Sequence, residues 1–346
     1  MTINELHKKI KKNEIAPLYL LYGTEEYLIN ETLDLIVDTV IPEDEREFNV
    51  SVFDLNEVPL EVALEDAETL PFIGEKRVVI IKEPIFLTAQ KDKNKIEHNL
   101  KKLENYIINP SPDSVVIFVA RYEKLDERKK IVKLIKTHGD VLFATSMDEK
   151  MLVTWIKSRV KNGQKQIKDE AAQLLLRIVG TKLMLLANEI DKMILYIGDD
   201  ELIDEEVIKV IVPRTLEENI FALIDMIVTR RQAEAFTILN DLIEQKEEPI
   251  KILSLLSGQF RLIYQVKELS KRGYGQSQAA TFIKVHPFRV KRALEQGKQF
   301  SEQELVRIIA DLAEADYKMK TGKMDKKLLL ELFILGLNNE NKKEAF

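Results

Sequence analysis

Two stretches of this 346-residue chain bring together residue types whose spacing could carry function. The first is Gly23-Thr24-Glu25-Glu26-Tyr27-Leu28-Ile29-Asn30, directly after the apolar run Leu18 to Tyr22. A glycine turn between a strand and a helix is where a phosphate-binding loop forms, because backbone amides close round the phosphates and a lysine neutralises them. Here the second glycine and the lysine are missing, and Glu25 and Glu26 put negative charge where phosphate charge would sit. The strand position where a magnesium-holding aspartate would follow four apolar residues reads Val78-Val79-Ile80-Ile81-Lys82-Glu83, and a lysine does not coordinate a cation. Gly23, Thr24, Glu25 and Glu26 therefore read as a degenerate nucleotide loop, with no ATP chemistry and no cofactor expected.

The second stretch is Thr69-Leu70-Pro71-Phe72-Ile73-Gly74-Glu75-Lys76-Arg77, between an acidic helical run and the strand Val78 to Ile81. Pro71 pushes Leu70 out of helical dihedrals and Gly74 is a second breaker, so the chain leaves regular structure here. Loops run over the surface, and one carrying Leu, Pro, Phe and Ile together needs a reason. Either Leu70 and Phe72 turn inward to cap a sheet edge, as most clustered apolar residues do, or they form a hydrophobic wedge offered to a partner.

Other chemistry finds little support. His7, His98, His138 and His286 fall on different elements without paired spacing, so no metal site is expected. The acidic pairs Asp199-Asp200 and Glu205-Glu206 sit at loops and helix starts, where they suit the helix dipole, and there is no Gly-x-Ser-x-Gly elbow. With no cysteine, disulfides and thiolate chemistry are excluded, which suits a reducing compartment, the cytoplasm by default. The N-terminus lacks an apolar signal core, and Leu328 to Leu337 is too short and too interrupted to span a bilayer, so Asn30-Glu31-Thr32 and Asn49-Val50-Ser51 match a glycosylation acceptor by chance. A formal charge of −6 offers no general attraction to nucleic acid. Three basic clusters remain: Arg128-Lys129-Lys130 with Lys133, Lys284 to Arg292, and Lys318, Lys320, Lys323, Lys326 and Lys327. Each reads first as a solvated helix face; the last is the better DNA candidate, because Gly322 would bring helix ends together.

The elements that position these residues follow from periodicity. Residues 5–12 read as a short charged helix and Pro17 to Gly23 as a strand buried on both faces, with Thr24 able to cap the helix that follows. Strands are expected at Phe48 to Leu55, Arg77 to Lys82, Ser114 to Val119 and Val141 to Phe143, and helices at Pro59 to Ala67, Gln90 to Asn105 and Leu125 to Ile135. Strands alternating with helices imply a parallel sheet covered on both faces. From Met147 the strand signal disappears. Helical stripes at Met151 to Val160, Ala171 to Val179 and Leu183 to Ile197, and a helix capped at Asp204 and ending before Pro213, make a compact helical domain. Glu218 to Thr229, Gln232 to Gln245, Ile250 to Arg272, a pair around Phe282 and Phe288, a helix opened by the capping box Ser301 and Glu304, and Asp325 to Leu337 complete an all-helical remainder. The division is 1–146, 147–213 and 214–346, an α/β domain followed by all-α domains.

Taken in order, Leu18-Tyr19-Leu20-Leu21-Tyr22-Gly23-Thr24-Glu25-Glu26-Tyr27-Leu28, Leu70-Pro71-Phe72 before Lys76-Arg77-Val78-Val79, Leu125 to Lys130, Glu189-Ile190-Asp191-Lys192 and Asp316-Tyr317-Lys318-Met319-Lys320-Thr321-Gly322 resemble the delta subunit of the bacterial DNA polymerase III clamp loader. No single motif is diagnostic; the ordered set covers essentially the whole chain. The resemblance implies an AAA+ protein with a degenerate RecA-like parallel-sheet domain, a small helical lid domain and a C-terminal helical collar domain. It also implies a subunit without ATPase activity in a polymerase complex, a nucleotidyltransferase. Its partners would be the beta sliding clamp, the gamma/tau and delta prime subunits of a hetero-pentamer, and primed DNA reached through the complex, with no membrane involved. In that family a hydrophobic pair before the third strand engages the clamp. Carried over, the clamp-binding positions are Leu70 and Phe72, with Pro71 and Ile73 adjacent; the possible DNA contacts are Lys318, Lys320 and Lys323 of the last basic cluster. The rival readings are an active P-loop ATPase, a free-standing DNA-binding protein and an unrelated helical scaffold.

Overall fold

The computed structural model describes residues 3–91, 96–229 and 231–340, the last three by backbone only. The chain forms two compact units, residues 1–146 and 147–346. In the first, the elements run α1 (Ile3–Lys11), β1 (Leu18–Gly23), α2 (Glu26–Val40), α3 (Arg46–Asn49), β2 (Val50–Asp54), α4 (Leu60–Glu68), β3 (Arg77–Lys82), α5 (Leu100–Ile108), β4 (Ser114–Ala120), α6 (Lys130–His138) and β5 (Asp140–Ala144). The strands form one parallel sheet in the order β2-β3-β4-β1-β5, the RecA-like sheet that the resemblance implies.

The continuous apolar runs of β1, β3 and β4 follow from burial on both faces. Leu18 and Leu20 of β1, Val79 and Ile81 of β3 and Val116 and Phe118 of β4 pack with α4, α5 and α6 in one core layer. Tyr19 and Leu21 turn to the opposite face and are fully buried, as are Leu6 and Ile10 of α1 and Ile29 and Ile36 of α2. A sheet of this kind leaves the strand ends and their loops as the surfaces free for function.

Four expectations for this unit need correction. Thr24 does not cap α2: its amide donates to Ala144 O at 2.9 Å, and the capping position falls on Glu25, whose side chain makes no cap hydrogen bond. Phe48 belongs to the single helical turn α3, so β2 begins at Val50. The charged helix begins at Leu100, where the Asn99 side chain accepts from Lys102 N at 3.1 Å; residues 92–95 lie outside the described residues. The segment from Leu125 starts as a turn, because the Asp126 carboxylate takes the Arg128 backbone N–H at 3.2 Å and so competes with the helix, which opens at Lys130.

Among its described residues the second unit is helical apart from one short strand pair. It runs α7 (Glu149–Asn162), β6 (Gln166–Ile167), α8 (Asp169–Val179), α9 (Leu183–Ile197), β7 (Leu202–Ile203), α10 (Glu205–Ile211), α11 (Leu216–Val228), α12 (Gln232–Glu244), α13 (Pro249–Lys271), α14 (Gln276–Ile283), α15 (Pro287–Gly297), α16 (Glu302–Lys320) and α17 (Lys326–Glu340). The parallel pair β6 and β7 was not expected, since two-residue strands are too short to set up an alternation. Asp204 caps α10 by accepting from Glu206 N and Val207 N, and Ser301 with Glu304 makes the expected capping box of α16. Of the double-arginine break before α12, Arg230 lies outside the described residues. The 23-residue α13, about 34 Å long at 1.5 Å per residue, is the axis of this unit. Leu253, Leu256, Phe260 and Ile263 along it pack into a core shared with residues of α11, α12 and α14 to α17.

Candidate functional site

The loop between α4 and β3 turns its apolar side chains outward. Leu70 is 72% exposed, Phe72 75% and Ile73 44%, with Pro71 half-buried between them. Of the two readings left open by the sequence, the inward cap is the one this geometry excludes for Leu70 and Phe72.

The base of the loop is firmly built. Arg77, at the start of β3, is almost buried; its Nη1 donates to Asp66 O at 3.1 Å and also pairs with the Asp66 carboxylate. Ser114 Oγ, on β4, donates to Ala67 O at 2.6 Å. Asp66 O, which also accepts from Thr69 N at 3.1 Å, and Ala67 O at the end of α4 are thereby held by side chains of two strands. On the other flank, the fully buried Asn49 donates from Nδ2 to Ile73 O at 2.6 Å and accepts at Oδ1 from Phe72 N at 3.1 Å. Phe48 stacks on Phe72 with ring centroids 5.6 Å apart. Gly74 has φ +72°, and a Cβ there would lie 2.1 Å from Glu45 Oε2. Sequence reasoning missed Phe48, Asn49 and Asp66. Asn49 did stand out as a chance glycosylation match, and its burial agrees with that reading.

The degenerate nucleotide loop has a different geometry. Gly23 has φ +132°, and a Cβ there would meet Ala144 O at 1.9 Å, so only glycine fits between β1 and the end of β5. Thr24 N and Glu25 N both donate to that same Ala144 O, at 2.9 and 3.1 Å. Two amides that a phosphate loop would turn toward its ligand are thus spent on a backbone carbonyl. Burial raises the Glu25 carboxyl above its ordinary range; a hydrogen bond from the Tyr27 backbone opposes this and neighbouring Glu26 adds to it. At the end of β3, Glu83 has φ +56° and its carboxylate accepts from Tyr122 Oη at 2.8 Å. Among the described residues no group of three or more His, Asp or Glu side chains is placed to hold a metal ion, and no helix is long and apolar enough to cross a membrane.

The basic clusters part company. Lys318 and Lys320, in the last turn of α16, pair with Glu314 at 3.3 Å and Asp316 at 2.7 Å, and Lys323 lies 4.6 Å over the Tyr317 ring. Gly322, at φ +66°, makes the turn into α17 that groups these three lysines at one edge. The Lys284 to Arg292 cluster points partly inward. Lys291 pairs with Glu149 at 2.7 Å, and Arg292 forms a buried ion pair with Glu218 while its guanidinium sits 4.0 Å over Phe221. Burial raises the Glu218 carboxyl, with Arg292 pulling the other way. Arg128 and Lys130 pair with Asp126 and Glu104, and Lys129 Nζ donates to Phe86 O.

Comparison with known proteins bears on the chain as a whole. Residues 19–145 match the family described as DNA polymerase III, delta subunit, and residues 217–337 the one described as DNA polymerase III delta subunit, C-terminal domain. The chain is 50% identical over 339 residues to the DNA polymerase III subunit delta of Bacillus subtilis, covering 98% of each chain. It is 23% identical over 330 residues to the probable DNA polymerase III subunit delta of Aquifex aeolicus, covering 92% of this chain and 90% of the relative. In three dimensions it is similar to the Bacillus subtilis DNA clamp loader delta protein, with a TM-score of 0.85 and 49% identity over 97% of this chain and 99% of that one. The chain belongs to the DNA polymerase III delta subunit family, the clamp-loader delta subunits.

Proposed function

We propose that Leu70, Pro71, Phe72 and Ile73 form the element by which this clamp-loader delta subunit binds the beta sliding clamp and favours an open interface in the ring. The observation that carries this reading is the outward presentation of Leu70 and Phe72 on a loop whose two ends are pinned. A wedge filling a pocket on the clamp can shift the ring toward opening only by binding the open form better than the closed one. Central apolar anchors of this type commonly contribute about 2 kcal/mol or more each.

The subunit does not hydrolyse ATP in this reading, which rests on the missing lysine and second glycine and on the loop amides that Ala144 occupies. Neighbouring gamma/tau subunits supply that energy within a hetero-pentamer that also holds delta prime. Residues 147–213 act as the lid and 214–346 as the collar that joins the other subunits. Primed DNA is met through the assembled complex, with Lys318, Lys320 and Lys323 as its contacts on this chain. The setting is the cytoplasm, at the replisome.

Co-purification with the sliding clamp of the same organism tests the reading. The expected result is a stable one-to-one complex in the absence of nucleotide; no complex at micromolar concentrations contradicts it. Equilibrium dialysis with labelled ATP and salt-dependent binding to primed DNA address two of the three rivals, the ATPase and the free-standing DNA binder. Stoichiometric ATP binding would restore the ATPase reading. Tight, salt-sensitive DNA binding by the lone chain would restore the free-standing DNA binder.

A further inference from the structure

An exposed apolar loop gains little from its own fold that would keep it in one shape. In this chain, however, a fully buried side chain reaches into it. Asn49, the last residue of α3, spends both polar atoms of its carboxamide on the loop: Nδ2 on Ile73 O at 2.6 Å and Oδ1 on Phe72 N at 3.1 Å. Its sequence neighbour Phe48 supports the Phe72 ring at 5.6 Å between centroids, with the planes 25° apart. Phe72 is therefore held twice, by its backbone from Asn49 and by its ring from Phe48. An asparagine at this length supplies a donor and an acceptor together, which aspartate and leucine do not. Backbone groups of a surface loop can bond to water, so satisfying them does not by itself require a buried asparagine.

We propose that Asn49 is a positioning residue for partner binding. It holds the Phe72-Ile73 backbone so that Leu70 and Phe72 are presented in their binding shape before the clamp arrives, and Phe48 is the rest against which the Phe72 ring lies. This rests on the reading of Leu70 to Ile73 as the clamp-binding element. A loop already ordered does not have to be ordered on binding. If releasing Asn49 left the binding shape populated about one-tenth of the time, the apparent Kd would rise about tenfold.

The test compares the native chain with Asn49→Ala, Phe48→Ala and the double variant Leu70→Ala with Phe72→Ala. Each is titrated calorimetrically with the sliding clamp of the same organism, and hydrogen exchange is followed at the Phe72 amide and across β3. Asn49→Ala is expected to bind about tenfold more weakly, with the Phe72 amide losing protection while β3 keeps it. Phe48 is 48% exposed, so Phe48→Ala leaves folding intact, and it is expected to bind about threefold more weakly. Native affinity in either variant overturns the positioning role, as does a loss of affinity in Asn49→Ala that comes with loss of protection in β3. Native affinity in the double variant overturns the wedge itself and the positioning role with it. A weakened double variant beside a native-like Asn49→Ala overturns the positioning role alone.

Discussion

Arg77 donates to the backbone carbonyl of Asp66 at 3.1 Å and pairs with its carboxylate, so the last turn of α4 and the first residue of β3 are joined beneath the loop they bracket. Removing the guanidinium leaves a largely shielded carboxylate without its counter-charge, while the Asp66 carbonyl keeps only the Thr69 N–H at 3.1 Å. Breaking a buried pair from one side costs about 3–5 kcal/mol, and the partial exposure of Asp66 brings the expectation down to about 2–3 kcal/mol. Arg77→Met should show that loss in urea unfolding, and a loss below about 0.5 kcal/mol would mean that the pair is not holding the loop base.

Acid should weaken the fold through His7. Its Nε2 lies 2.8 Å from Thr32 Oγ1 between α1 and α2, and burial, with some repulsion from Lys11, brings its pKa down from 6.5 to about 4. A base with a depressed folded pKa is neutral in the fold, while the unfolded chain takes up a proton below 6.5. Stability from this group is therefore complete above pH 6.5 and is lost as the pH falls toward 4, by up to about 3 kcal/mol. Burial also lowers the pKa of His286, which adds a loss of the same sign. The raised carboxyls of Glu25, Asp34 and Glu218 act oppositely, gaining stability as they protonate in the fold. His7→Gln isolates the first contribution: urea midpoints at pH 7 and pH 4.5 should differ less for the variant than for the native chain.

Gly74 needs its left-handed backbone, at φ +72°, and the space beside Glu45. An alanine there should cost about 1–2 kcal/mol for the backbone conformation, and its Cβ displaces the carboxylate that lies 3.4 Å from Asn49 Nδ2. Gly74→Ala is expected to lower the urea midpoint and to bind the sliding clamp more weakly than the native chain.

In the second unit, Arg292→Met leaves Glu218 buried without its counter-charge, an expected loss of about 3 kcal/mol by urea unfolding. Replacing both residues with methionine should restore most of it, because two apolar groups leave no charge to desolvate. Equal losses in the single and double variants would show that the pair acts by packing on Phe221 instead of by charge.

The sequence made the architecture legible wherever an element was long and buried. The apolar runs Leu18 to Tyr22, Arg77 to Lys82 and Ser114 to Val119 gave three strands almost to the residue, and the period of residues 250 to 272 gave α13. It was least legible where side chains compete with the backbone. Asp126 turns the chain before Lys130, and Ala144 O takes the Thr24 amide across two strands, a contact no local pattern records. For the candidate site, composition marked Leu70 to Ile73 but left their direction open. What pins that loop comes from residues 48, 49, 66 and 114, and such long-range hydrogen bonds leave no periodicity to read.

If Leu70 and Phe72 carry the affinity for the clamp, calorimetric titration of Leu70→Ala with Phe72→Ala against the sliding clamp must register their loss. Both side chains are exposed, so the variant keeps the native fold and its urea midpoint. The expected result is binding at least tenfold weaker, a loss of about 1.4 kcal/mol or more. Unchanged affinity in the folded double variant would contradict it.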